Sequence, residues 1–331
     1  MLAGETTRWQ TPVVASWAML LPLGPLAIAA LVLQLIGPVP DTGPLTQPAV
    51  IEAATVPLST GPLIYATAVV IHVVLSLLAI SSYALIIHDT DRPTDRKVAA
   101  SCLAAAITVL VLAAFVALAD PGIAAYRVTY FDYLQFYAAV PDAYFDRAYL
   151  GLPHVAWAIL VPTALGVVAV MGAAAAADLL STGLPDPEGP DATRKLRTSR
   201  AGVRRVLYLL SIVLVTSTLA ASVFFHLPTG LYGAEEEVPA RLSHYADTLS
   251  VFWGAVYTLT LITTVAVPAA RLQRRTEGAG GVLAEPGGEA EAKETEAEEG
   301  IADTLLGQVR LLLALLAPLI AGPVANLLQA V

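Results

Sequence analysis

Residues 63–87 read LIYATAVVIHVVLSLLAISSYALII and contain no Asp, Glu, Lys or Arg. A helix needs about 20 mostly apolar residues to cross the roughly 30 Å of hydrocarbon in a bilayer. A charged side chain is costly in hydrocarbon, and this run avoids that cost along its whole length. The stretch therefore predicts a transmembrane helix, and lipid as the main solvent of the protein around it.

Long apolar runs recur on both sides of this helix. They lie at 13–36, 98–118, 152–180, 206–225 and 249–270. Each is long enough to span a bilayer as a helix. We therefore predict an all-α fold, a polytopic transmembrane bundle of six helices within residues 1–275. Pro22 and Pro25 should bend the first helix, because proline lacks an amide hydrogen and its ring crowds the preceding turn.

Two further segments follow the predicted bundle. Residues 276–300 are mostly Gly, Ala and Glu, so they can bury little apolar surface and predict a disordered acidic linker in the cytoplasm. Residues 301–331 form an apolar C-terminal helix in this interpretation, with Pro318 and Pro323 inside its final run. Those prolines leave three arrangements open: a seventh span, a re-entrant helix or an interfacial helix.

The composition agrees with a membrane protein and excludes several functions. Of the 331 residues, 56% are hydrophobic and only 14% are charged, against about 25% charged in a typical soluble domain. The net charge of −9 offers no basic groove, so we expect no nucleic-acid partner. The single cysteine, Cys102, cannot form an intrachain disulfide bond.

Basic residues predict the orientation of the chain. They cluster after the second, fourth and sixth apolar runs, at 92–97, 194–205 and 271–275. Loops rich in Lys and Arg stay in the cytoplasm, so these three connections and the N-terminus should be cytoplasmic, in a plasma or inner membrane. The connection 120–149 on the other side is rich in Tyr and Phe, which predicts an interfacial helix.

The familiar signatures of enzymes are missing from the sequence. It has no Gly-rich phosphate loop, no Cys-x-x-Cys, no His-Glu-x-x-His and no Gly-x-Ser-x-Gly. We therefore expect a non-enzymatic role. No acidic or basic residue lies at depth in the predicted spans, which leaves histidines and hydroxyl groups as the candidates for function.

Polar side chains line one face of the second predicted helix. Tyr65, His72, Ser76 and Tyr83 project from the same side, and that side should face the other helices. His72 is the ionisable group nearest the middle of the membrane, so it needs a polar neighbour there. The expected neighbours are Thr218 and Ser222 on the fifth helix and Tyr257 on the sixth.

The predicted ligand or pathway residues are therefore Tyr65, His72, Ser76, Tyr83, Thr218, Ser222 and Tyr257. The fifth and sixth helices carry further polar stripes, at Ser211, Thr218, Ser222 and His226 and at Trp253, Tyr257, Thr260 and Thr264. Hydroxyl groups in such stripes either bond to their own helix and allow close packing, or line a watery path.

Function is open between two classes. The leading hypothesis is a small-solute or ion pathway, or a scaffold, with the lipid bilayer and either a second copy or a membrane subunit as partners. The alternative is an electron-transfer subunit that carries b-type haem. A transmembrane haem needs two histidines at similar depth on different helices, and His154 and His226 meet that condition.

Overall fold

The computed structural model describes residues 19–35, 60–89, 152–182, 190–226, 237–282 and 316–321, with positions 97, 99–101, 103–104 and 107–108 between them. The helices are α1 (Leu23–Leu35), α2 (Thr60–His88), α3 (Leu152–Thr182), α4 (Pro190–His226) and α5 (Glu237–Val282). No strand occurs in these ranges, so the predicted all-α class is confirmed.

Four helices are long and apolar enough to cross a membrane: α2, α3, α4 and α5. They correspond to four of the six predicted spans. In the run 13–36, a turn at positions 21–22 precedes α1 at Pro22, one of the two prolines where the sequence predicts a bend, while Pro25 lies in the first turn of α1. The described positions of the run 98–118 are helical, and Thr108 Oγ1 donates to the carbonyl of Ala104.

Two predicted boundaries are wrong, because helices extend into segments that were expected to be loops. α4 starts at Pro190, so the basic cluster 194–205 lies on a helix. Pro190 suits a first helical turn, and the Lys, Arg and Leu that follow favour helix. α5 starts at Glu237 and therefore includes His244. The acidic side chain of Glu237 in its first turn favours a helix N-terminus there.

Several predictions fall outside the described residues. They concern the aromatic connection 120–149, the single cysteine, the acidic segment beyond Val282 and most of the C-terminal run. α5 itself continues to Val282, past the predicted start of the linker at residue 276.

Contacts between α2 and α3 show that the two helices run in the same direction. His72 bonds to Pro162, and the Tyr83 ring lies over Gly172. From the first contact to the second, the residue numbers increase on both helices, which is the pattern of parallel helices. The chain between α2 and α3 therefore returns to the end of the bundle from which α2 starts.

α4 runs in the opposite direction to the other three. Ser217 bonds to Tyr257 of α5, while His226 bonds to Asp247 of the same helix. The start of α4 thus lies beside the ends of α2, α3 and α5. This "basic end" carries Lys195 to Arg205 of α4 and Arg271 and Arg274 of α5, and the opposite end is called the "His226 end".

Two clusters of buried side chains hold the four helices together. The "inner core" fills the half of the bundle nearer the basic end with small and branched residues, among them Ala79, Ala173, Ala176, Val206, Leu210 and Leu261. The "aromatic cluster" closes the His226 end with Phe224, Phe225, Ala246 and Leu249, against which Tyr65, Ala221, Tyr245 and Trp253 pack.

The outside of the bundle is apolar. On α2 the exposed large side chains are Ile64, Val70, Ile71, Val74, Leu77, Leu78 and Leu85. Soluble proteins rarely expose a continuous apolar face of this kind, whereas lipid favours it. The arrangement is that of a protein embedded in a membrane.

The short helical segment 316–321 packs on α5 at Gly254. A Cβ atom built on Gly254 would lie 2.7 Å from the carbonyl oxygen of Pro318, so the close approach depends on glycine. Pro318 and Ala321 are buried there.

Candidate ligand site at His72

His72 lies at the centre of the four-helix bundle, and its side chain is 1% exposed. Its Nε2 is 3.1 Å from the carbonyl oxygen of Pro162 on α3, and its Nδ1 is 3.1 Å from Oγ1 of Thr216 on α4. The inward orientation predicted from the sequence is therefore confirmed. The ring joins three helices through polar atoms.

The side-chain partner of His72 is Thr216 and not the predicted Thr218, while the predicted neighbour Tyr257 lines the same cavity. Thr218 Oγ1 donates instead to the carbonyl of Leu214 in its own helix, 2.9 Å away. Residues 216 and 218 project about 200° apart around a helix, so only one of them can face α2. The Pro162 partner is a backbone atom, which residue types do not reveal.

A cavity of about 40 Å³ adjoins His72 on the side of the His226 end. Its walls come from all four helices: Tyr65, Val69, His72, Pro162, Thr163, Ser217, Ala220, Ala221, Phe224 and Tyr257. One water molecule needs about 10–15 Å³ of such space, so the cavity has room for a few waters or a small ion. Large metabolites do not fit.

Side chains bound the cavity along the bundle axis, and at its side the cavity reaches the bundle surface at the exposed Thr163. Towards the basic end, the inner core begins next to His72. Towards the His226 end, the rings of Tyr65 and Phe224 meet with centroids 5.5 Å apart. On the α5 side, Ser217 Oγ donates to Tyr257 Oη at 3.3 Å, so the wall there presents hydroxyl groups.

The predicted ligand residues separate into two groups. Tyr65, His72 and Tyr257 line the cavity. The others are buried elsewhere: Ser76, Tyr83, Thr218 and Ser222. Tyr83, for example, lies in the inner core and donates from its hydroxyl to the carbonyl of Val206 at 3.3 Å. Side chains at helical spacing thus share a face without sharing a site.

Sequence reasoning missed four contributors: Pro162, Thr163, Thr216 and Ser217. Residues 216–218 read Thr-Ser-Thr. Three successive hydroxyl groups on a helix project about 100° apart, so they reach α2, the cavity and the helix's own backbone. That tripeptide was the signal available in the sequence.

A buried charged pair near the basic end was also missed. Asp178, 2% exposed in the last part of α3, pairs with Arg271 of α5. Asp178 lies at the end of the fourth apolar run, 152–180, so the sequence placed it at the edge of the predicted span. The pair connects two parallel helices at the end opposite the cavity.

The geometry at His226 bears on the haem alternative. Nδ1 of His226 is 2.8 Å from the carbonyl oxygen of Ser222, and Nε2 is 3.0 Å from Oδ1 of Asp247. Both ring nitrogens of His226 thus have protein partners. To bind haem iron, His226 must lose one of these two hydrogen bonds. The side chain of His154 lies outside what the structure describes. Within the described residues, no three His, Cys, Asp or Glu side chains cluster as metal ligands would.

No protein-family model, curated protein or solved structure matches this chain. The fold and the site are therefore interpreted from their own chemistry. The part of the chain that the structure describes is helical, with four helices able to span a membrane and a small cavity of mixed polar and apolar lining between them.

Proposed function

We propose that this protein is a multi-pass membrane protein that moves a small polar solute or ion across the bilayer, with the cavity at His72 as its binding site. The observation that carries the proposal is a fully buried imidazole, bonded to two neighbouring helices, at the inner end of a cavity whose walls also offer hydroxyl and carbonyl groups. A histidine inside a membrane bundle is costly unless it has a use or many partners.

The chemistry of the walls supports a small polar occupant. Hydroxyl groups of Tyr65, Thr163, Ser217 and Tyr257 offer both donors and acceptors, and Pro162 offers a carbonyl. Ala220 and Ala221 also line the cavity, and their small side chains leave room for an occupant. A role in packing alone is better served by apolar side chains that fill the volume, because a void forfeits contacts on every side.

The two closures are unequal, and this supports a direction of access. The inner core extends from Ala79 to Leu272 and is close-packed, so opening it requires separating helices. The aromatic cluster is a smaller group of rings, and a rotation at Phe224 or Tyr65 opens it. We therefore expect the site to exchange its occupant through the His226 end in this conformation.

Cysteine accessibility tests this proposal. In a Cys102→Ser background, the Ala221→Cys variant should react with aqueous silver ions, a probe small enough for the cavity, from the His226 side only. Unreacted thiol is then counted with a fluorescent maleimide after denaturation. Phe224→Leu should speed the reaction, because it shrinks the ring that closes the cavity.

Ala79→Cys is the matched control, since it makes the same change in the inner core, where we expect no reaction from either side. If Ala221→Cys is as inert as Ala79→Cys in both Phe224 backgrounds, the cavity is sealed and the pathway is refuted. A scaffold role would then be the better interpretation of the bundle.

A further inference from the structure

The hydroxyl group of Thr216 has one hydrogen and three acceptors within reach. They are Nδ1 of His72 at 3.1 Å and the carbonyl oxygens of Val213 at 2.9 Å and Ile212 at 3.1 Å. A hydroxyl hydrogen rotates freely between such partners. Its direction therefore depends on what His72 Nδ1 needs.

The other ring nitrogen has no such choice. The carbonyl oxygen of Pro162 can only accept a hydrogen bond, so Nε2 of His72 must carry the hydrogen that is shared between them. In the neutral ring, Nδ1 is then a bare acceptor, and Thr216 donates to it. In the charged ring, Nδ1–H donates to Oγ1 of Thr216, and the hydroxyl hydrogen turns to Val213.

We propose that the occupant of this site is a proton, which His72 takes up on Nδ1 while the Thr216 hydroxyl group turns to accept it. This inference rests on the proposed function and names its substrate. In the transfer, a hydronium ion gives one hydrogen to Oγ1 of Thr216 and becomes water, while the hydrogen already on Oγ1 passes to Nδ1; one O–H bond breaks and one forms at Thr216, and one N–H bond forms at His72. Both states keep every polar atom of the ring bonded, and no heavy atom has to move.

The surroundings favour transfer over permanent storage of the charge. The titratable groups that line the cavity with His72 are Tyr65 of α2 and Tyr257 of α5, and α3 and α4 contribute Pro162, Thr163 and Ser217 to its walls. Thr216 and the backbone of Val213 on α4 contact His72 itself. Arg205, Asp247 and the ionisable His226 lie about 15 Å or more along their helices from Thr216 or Tyr257. His154 precedes Pro162 on α3 by about 12 Å of helix. Among the described residues, the polar groups around His72 are hydroxyls and carbonyls, so no carboxylate holds the charge of an imidazolium there.

Proton flux and nitrogen resonances test the inference together. The protein is reconstituted in phosphatidylcholine and phosphatidylglycerol vesicles that contain a pH-sensitive dye, and a potassium gradient with valinomycin drives protons inward. We expect uptake above that of protein-free vesicles, and its loss in His72→Gln. Thr216→Val should lower it about tenfold or more, the usual weight of a hydrogen bond to a charged group. Thr216→Ser keeps the hydroxyl and should retain uptake.

Thr263→Val is the matched control. Thr263 Oγ1 also bonds to the carbonyls three and four residues back, at 3.0 Å each, and it faces away from the cavity. Its replacement should leave uptake unchanged. Uptake in Thr216→Val equal to that in wild type would overturn the role of the hydroxyl.

Nitrogen-15 spectra of histidine-labelled wild-type protein report the ring directly, with the other histidines assigned by single replacement. We expect hydrogen on Nε2 alone at alkaline pH and on both nitrogens at acidic pH. The opposite tautomer, or a ring that stays neutral throughout, would overturn the proton inference. If that happens while Ala221→Cys still reacts with silver, the solute pathway stands with another occupant; if the cysteine is inert as well, both fail.

Discussion

Asp178 and Arg271 are partners of unequal burial, and this inequality determines what each contributes. The carboxylate side chain is 2% exposed, and the guanidinium side chain is 22% exposed. A charge left alone in a buried site costs far more than one that can reach water. The long Arg271 side chain, at the basic end, can turn towards lipid headgroups, whereas Asp178 has no comparable escape.

We predict that Arg271→Met destabilises the bundle by about 3 kcal/mol, since it removes the charged partner of the buried Asp178 carboxylate. Asp178→Asn should cost only about 1 kcal/mol, because it removes the buried charge together with the pair. Unfolding in detergent with increasing dodecyl sulfate, followed by circular dichroism, measures both. Equal losses in the two variants would mean that the burial of Asp178 is not what makes the pair important.

The residues of the site were only partly predictable from the sequence. An ionisable side chain in an apolar helix must face inward, so His72 and the face it shares with Tyr65 could be assigned. Its partners could not, because they depend on how far α4 is rotated about its axis. A rotation of one or two residues exchanges Thr216 for Ser217 or Thr218, and hydropathy does not distinguish them.

At the level of helices, glycine sets how closely segments approach each other. Gly254 allows the backbone of segment 316–321 to touch α5, with the Pro318 carbonyl oxygen 2.7 Å from the position of a Cβ atom. The contact is backbone on backbone, so no side-chain rotation can relieve it. At Gly202 the obstacle is the Leu180 side chain, 2.9 Å away, which can move. At Gly24, no atom of the described residues outside its own stretch of helix lies within 4 Å of the Cβ position.

We predict a graded response to Gly→Ala at these three positions. Gly254→Ala should destabilise the protein and separate the C-terminal segment from α5, and Gly202→Ala should have a small effect. Gly24→Ala should be neutral or stabilise α1 by up to about 1 kcal/mol, since alanine favours helix. Thermal unfolding in detergent ranks the three, and hydrogen exchange at 316–321 reports the separation. Normal protection of that segment in Gly254→Ala would contradict the packing.

Helix boundaries were harder to predict than helix existence. Hydropathy marks where lipid begins and ends, and the apolar parts of α4 and α5 were found by that signal. It does not mark where hydrogen bonding stops, so the polar extensions from Pro190 and from Glu237 were assigned to loops. Pro190 and the acidic first turn of α5 were the local signals of those helix starts.

Across the whole molecule, the directions of the helices constrain how the chain crosses the membrane. α2 and α3 are parallel, so the residues between them must return to the His226 end. If α2 and α3 each span the bilayer, that return requires an odd number of crossings, and 98–118 is the apolar run available for one. The parallel packing therefore calls for a crossing between α2 and α3, and hydropathy assigns that crossing to the predicted third span.

The final prediction concerns which end faces the cytoplasm. The three basic clusters of the sequence include Lys195 to Arg205 and Arg271 to Arg274, and the structure brings these two to the same end. Clusters of Lys and Arg beside transmembrane helices stay in the cytoplasm, so that end should be cytoplasmic. In a Cys102→Ser background, Arg197→Cys should react with a membrane-impermeant maleimide in inverted vesicles and not in intact cells. His244→Cys, exposed near the start of α5, should show the reverse pattern.

Reaction of both variants from one side would mean that α4 and α5 do not cross the bilayer. If instead each reacts only from the side opposite to that expected, the bundle spans in the reverse orientation, and the cavity at His72 exchanges its occupant with the cytoplasm.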